Sequence, residues 1–267
     1  MIKTLSKIQN LALKYRLEII LACSTTFIIA GLYTEKYLPM YLVSNQELFY
    51  KYLPWAGAFK SGFFIRGIPD SVLPVLQGIC SDISGMWIIR FSSIPLPQIV
   101  FFFLLPLISL FVLKIDPVAY GFRIGNFRQG IIYTAICLAV MAPFLWWAAR
   151  MPSFIKYYSS VNSGGFWTVV IQYGFYLFCW EYLYRGYLYF SLEERTGNLA
   201  IWIQSIPFAI THLGKPPAEA LTCYFGGLIL GYIAMKTRSF SYAFLIHWGI
   251  YVILTFCVFS RIGYFTK

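Results

Sequence analysis

Residues 178–190 read FCWEYLYRGYLYF, an aromatic and apolar run that carries Glu181 and Arg185. An ionised carboxylate and a guanidinium cost several kcal/mol inside hydrocarbon unless they pair or face a cavity. The flanking residues make hydrocarbon the right medium to consider, because the apolar run extends over about 166–188. The rest of the chain agrees. It is 59% hydrophobic, 20% aromatic and 12% charged, with a mean hydropathy of +0.68. A soluble domain carries about 25% charge. The reading is an all-α, polytopic transmembrane helical bundle.

A span needs about 20 mostly apolar residues. Candidate spans lie at 17–34, 95–113, 130–149, 166–188, 199–218, 219–235 and 240–260, with only GKPPAE marking the boundary between the fifth and sixth. The connection 35–94 is interrupted by Asp70, Asp82, Pro69 and several glycines. It reads as an interfacial or re-entrant helix or as one extra span, so seven or eight spans are expected. The first run, 17–33, lacks a small-x-small cleavage site and reads as a retained anchor. GFRIGNFRQG (121–130) reads as a turn feeding the next span. Residues 1–120 are expected to hold the first spans and the long connection, and 121–267 a core.

The net charge is +11. The basic residues lie mostly between apolar runs and form no block, which argues for orientation signals and lipid headgroup contacts and against nucleic acid. With a cytoplasmic N-terminus, that side carries ten Lys and Arg residues, from Lys3 to Arg238, against five opposite once 35–94 is set aside. The expectation is therefore an integral, multi-pass membrane protein, N-terminus inside. Five of the six cysteines fall in apolar runs and none forms C-x-x-C, so they read as small buried hydrophobes.

The last hundred residues hold three pairs at i, i+4 spacing: Glu181 and Arg185, Phe208 and His212, His247 and Tyr251. Residues four apart share a helix face. His212 and His247 are the only histidines, and both sit in apolar runs. One such histidine is ordinarily a core side chain bonded to a carbonyl. Two, with an intramembrane Glu, point to a shared polar pocket. Glu181 and Arg185 also have an ordinary reading, as a pair that neutralises itself within one helix. Gly227 and Gly231 have small-x-x-x-small spacing and read as a packing seam. By helix rise, Glu181 and His247 lie about 10 Å from one end of their spans and His212 about 20 Å.

The segments WEYLYRG (180–186), FAITH (208–212) and FGGLILGYIAMKTRSFSYAFLIHWGIY (225–251) resemble, in order and separation, the three motifs of the CPBP family. That family includes type II CAAX prenyl endopeptidases, bacterial intramembrane glutamic endopeptidases and bacteriocin self-immunity proteins. The family pattern is E-E-x-x-x-R, then F-x-x-x-H, then H-x-x-x-N. The resemblance covers about 165–260. It implies an intramembrane endopeptidase acting on a membrane-anchored peptide or protein, with no cofactor and no metal. Glu181 would be the general base and His212 its partner in holding water. His247 and Tyr251 would support the oxyanion, and Arg185 would pair with Glu181. Two positions depart from the pattern: Trp180 stands at the leading Glu and Tyr251 at the Asn. Either Glu181 and Tyr251 have taken over those roles, or the chain is a non-catalytic immunity or chaperone-like member. From the residues alone, a zinc site of two His and a carboxylate and a proton-coupled transporter also stand as readings.

Overall fold

The computed structural model describes residues 15–44, 96–161 and 165–266, with side chains of the first helix described as far as Leu32. The described residues form eight helices and no strand. Helix α1 is Arg16–Ser44. Helix α2 runs through Leu96–Gln98, a π-helical stretch Ile99–Leu104, and Leu105–Val112. Then come α3 (Phe127–Ala148) and α4 (Pro152–Val161). Helix α5 comprises Phe166–Glu181, a π-helical stretch Tyr182–Leu188, and Tyr189–Thr196. The last three are α6 (Leu199–Ile210), α7 (Pro217–Thr237) and α8 (Ser241–Arg261). The chain divides into two compact units, Met1–Gly31 with Gln98–Lys267, and Leu32–Pro97. Of the second unit, the described part is the rest of α1 together with Leu96 and Pro97.

The all-helical reading holds for the described residues. Three helices are long and apolar enough to cross a membrane: α3, α7 and α8. Their surfaces suit that solvent. Ile136, Val140 and Phe144 of α3 are each more than half exposed. In water such a surface would be an aggregation liability, whereas acyl chains accept it. Three boundaries differ from expectation. Helix α1 continues through 35–44, where the sequence suggested a connection. Helix α6 stops at Ile210 rather than 218, because THLGKPP turns through Gly214 at φ +98° and the two prolines restart the chain as α7. Helix α4, unanticipated, occupies the connection after α3. The interfacial helix or extra span expected within 45–94 lies outside the described residues.

Local chemistry sets the joints. Asp116 accepts a hydrogen bond from the Val118 N–H at 2.9 Å and starts a 3-10 turn, Pro117–Tyr120. Asn126 caps α3 through Gln129 N–H at 3.2 Å. The expected turn at 121–130 is present and is pinned to the end of α7. Asn126 N–H donates to the Thr237 carbonyl at 2.9 Å, and a side chain at Gly125 would collide with that oxygen. Helix α8 packs against α3, α5 and α7, and α6 lies along α7. Trp248 Nε1–H donates to the Val170 carbonyl at 2.9 Å and ties α8 to α5.

One end of the bundle gathers charges that the sequence placed on one side. Arg16 pairs with Glu194, Arg195 with Glu18, and Arg238 with Glu193, each at 2.6 Å. Each is exposed and worth about 0–1 kcal/mol, so the pairs mark an end more than they hold it. The opposite end carries Lys215 on Glu219 at 3.3 Å and Tyr158 O–H on the same carboxylate at 2.8 Å.

Candidate active site

Glu181 is the last residue before the π-helical stretch of α5, and Arg185 lies within that stretch. A π-turn widens the helix and often marks a functional position. Both side chains are wholly buried. Arg185 Nη1–H donates to Glu181 Oε1 at 3.1 Å, and Nη1 also lies 3.1 Å from Oε2. Arg185 Nη2–H reaches the Gly227 carbonyl of α7 at 3.4 Å, and its guanidinium carbon lies 3.9 Å from the centre of the Phe208 ring. The cation thus meets a carboxylate, a backbone oxygen and a π-face, while its Nε–H has no partner among the described residues.

His247 comes from α8. Its Nδ1 lies 2.6 Å from Glu181 Oε1, a charge-assisted distance, and its side chain is 19% exposed. His212 follows the end of α6. Its Nδ1 lies 2.8 Å from the Phe208 carbonyl. A carbonyl only accepts, so Nδ1 carries the proton and a neutral His212 keeps its Nε2 lone pair available. The two imidazole rings lie 6.3 Å apart, 25° from parallel. The offset in depth derived from helix rise therefore does not separate them. Phe208 flanks both, 4.5 Å from the His212 ring and 5.8 Å from the His247 ring.

Four of the five expected residues therefore meet: Glu181, Arg185, His212 and His247. The imidazole that contacts the carboxylate is His247, while His212 bonds the Phe208 carbonyl with its ring 6.3 Å from that of His247. Tyr251 lies one turn beyond His247 and is buried in another cluster. It stacks on Tyr173 at 4.0 Å and 7°, with Tyr158 6.2 Å away.

Two residues not singled out as polar partners belong to the site. Gln204 is wholly buried and donates from Nε2 to the Gly227 carbonyl at 3.0 Å, the oxygen that Arg185 also uses. A lone Gln in the apolar run AIWIQSIPF was its only signal. The glycine seam makes this contact possible. A side chain at Gly231 would sit 2.6 Å from Gln204 Nε2, and one at Gly227 would sit 3.1 Å from Phe208 and Ser205. Trp180, buried beside Glu181, closes the site from the side of α2 with its ring 5.3 Å from Phe102 and 6.2 Å from His212. Glu181 Oε2 has Arg185 Nη1 at ion-pair distance, 3.1 Å, and no further donor among the described residues. No group of three His, Cys, Asp or Glu side chains among the described residues is arranged to hold a metal.

The site is a buried carboxylate whose Oε1 takes His247 and Arg185, whose Oε2 is ion-paired to Arg185 and able to accept a proton, and which has an imidazole lone pair nearby. That arrangement can take a proton from a water and hold it for later return. Residues 161–253 match the family model described as Type II CAAX prenyl endopeptidase Rce1-like. No curated protein and no solved structure matches the chain. The matched segment contains all three motifs read from the sequence, and the resemblance to the CPBP family is shown over it.

Proposed function

From the Rce1-like character of residues 161–253, we propose that this chain is an intramembrane endopeptidase that hydrolyses a peptide bond of a membrane-anchored, CAAX-type substrate. The observation that carries the reading is the 2.6 Å contact between His247 Nδ1 and a wholly buried Glu181, with His212 facing them 6.3 Å from the His247 ring. A merely self-neutralising Glu–Arg pair needs no histidine on either side.

In this mechanism Glu181 Oε2 and His212 Nε2 hold a water. The water gives one proton to Oε2, and its oxygen attacks the scissile carbonyl carbon. The carbonyl π pair moves to oxygen and forms a tetrahedral oxyanion. Collapse re-forms the carbonyl and expels the amide nitrogen, which takes the proton from Glu181. The carboxylate is then regenerated, and atoms and charge balance. His247 holds Oε1, and Arg185 Nη1 lies 3.1 Å from both oxygens, so the proton is taken at Oε2. His247 supports the oxyanion from α8, and Tyr251 supports that edge of the site from the next turn.

The same reading places the chain in a bacterial cell membrane with seven or eight spans, its N-terminus cytoplasmic, lipids as neighbours, and the motif-bearing core over 121–267. The test is cleavage of a prenylated, CAAX-ending reporter peptide by the purified chain in proteoliposomes. Wild type should cleave, and Glu181→Gln should lower kcat by at least about 100-fold while the protein still inserts and folds. Cleavage surviving that change removes Glu181 as the base. A wild type with no cleavage of prenylated or unprenylated reporters favours a binding or immunity role for the same pocket.

A further inference from the structure

Trp180 takes the position of the family's leading carboxylate, and its surroundings point to a use for the replacement. The indole is 3% exposed and is enclosed by the rings of Phe102, Tyr176, Tyr184, Phe208 and His212. Its Nε1–H can only donate, and it meets no acceptor in the protein. Leaving a buried donor unmatched is unfavourable, because its hydration is lost with no bond in return. The next residue offers the complementary atom, because Glu181 Oε2 has no hydrogen-bond donor beyond its ion pair with Arg185 Nη1 at 3.1 Å. An unmatched donor and an acceptor with room for a further hydrogen bond, on consecutive residues at the site, suit an oxygen ligand that can do both.

Resting on the endopeptidase reading, we propose that the Trp180 indole N–H is a catalytic donor to the substrate's carbonyl oxygen as it becomes the oxyanion, with a water taking that bond in the resting protein. Consecutive helical residues project about 100° apart. Glu181 can therefore deliver the attacking water from one direction while Trp180 meets the carbonyl oxygen from another. Hydrolysis needs that separation, since nucleophile and oxyanion occupy different corners of the tetrahedral centre. The indole N–H bond stays intact throughout, and the water's proton goes to Glu181.

Two variants remove the donor. Trp180→Phe keeps an aromatic ring, and incorporation of benzothienylalanine at position 180 keeps the bicyclic shape with sulfur in place of N–H. Each should lower kcat about 100-fold on the reporter peptide, with KM within about twofold, because an oxyanion donor acts only in the transition state. The hydrogen-bond-sensitive indole band in the Raman difference spectrum, wild type minus Trp180→Phe, should be that of a bonded N–H. Should Trp180→Phe fail to fold, the benzothienylalanine protein supplies both readouts. A kcat within twofold of wild type for the folded variant, or a difference band of an unbonded indole, overturns the proposal. A wild type that cleaves nothing defeats the endopeptidase reading and with it the catalytic role. The Raman band then decides by itself whether Trp180 binds an oxygen ligand.

Discussion

At the residue scale, the decisive group is Arg185. It neutralises Glu181 where neither side chain touches solvent. Removing one partner of a buried pair strands the other charge and costs about 3–5 kcal/mol. Arg185→Ala should therefore lower unfolding stability by about that amount, measured by denaturant titration in micelles. Pairing it with Glu181→Ala should restore part of the loss, because the stranded carboxylate is gone. If the two losses simply add, the ion pair is not the coupling that the geometry indicates. Tyr251 poses a different question, because its ring stacks on Tyr173 whatever its hydroxyl does. Tyr251→Phe preserves the stack and should leave stability within about 1 kcal/mol. A kcat about tenfold lower in that variant is expected from the oxyanion role, and an unchanged kcat would confine Tyr251 to packing.

At the element scale, the α6–α7 seam is what lets Arg185 and Gln204 share the Gly227 carbonyl. Its glycines are not equivalent. Gly231→Ala puts a methyl 2.6 Å from Gln204 Nε2, whereas a methyl at Gly226 meets nothing within 4 Å. Gly231→Ala should cost about 1–3 kcal/mol through overpacking. Gly226→Ala should be neutral or stabilising by up to about 1 kcal/mol, since alanine is the better helix former. Equal effects at the two positions, read from thermal unfolding in one detergent, would show that the seam is not close-packed. The early end of α6 matters for the same reason. A continuous helix to 218 would have carried His212 in a helical turn, whereas the chain turns at 211–216 and leaves the imidazole facing His247.

At the scale of the whole molecule, the outside is more apolar than the inside needs it to be. The outward residues of α3 are large hydrophobics, while Glu181, Arg185 and Gln204 lie in the interior. A charge at the lipid-facing centre of a span costs about 2.5–3.5 kcal/mol on the insertion scale. Val140→Lys should accordingly reduce the membrane-integrated fraction, assayed by carbonate extraction, while Thr134→Ser, nearer one end of α3, should not. The ion pairs of Arg16, Arg195 and Arg238 bring three charges of the expected cytoplasmic side to one end of the bundle. An impermeant maleimide should label a cysteine placed at Arg123 only after the cytoplasmic face is opened. Labelling from outside would invert the proposed orientation.

The sequence by itself determined the helical class, most of the helix positions and the three polar faces. Hydropathy and i, i+4 spacing are local properties, and a bilayer leaves a chain this apolar little besides helices. The spacing also paired Glu181 with Arg185, because that contact lies within one helix. Only tertiary structure decided which imidazole bonds the carboxylate, that Gln204 joins Arg185 on one carbonyl, that Tyr251 belongs to an aromatic stack, and that Trp180 holds an unmatched donor beside His212. Each of these depends on how two or three helices meet. A helix's own sequence fixes which residues share a face, but the partner of that face is set by packing against glycines, prolines and turns many residues away.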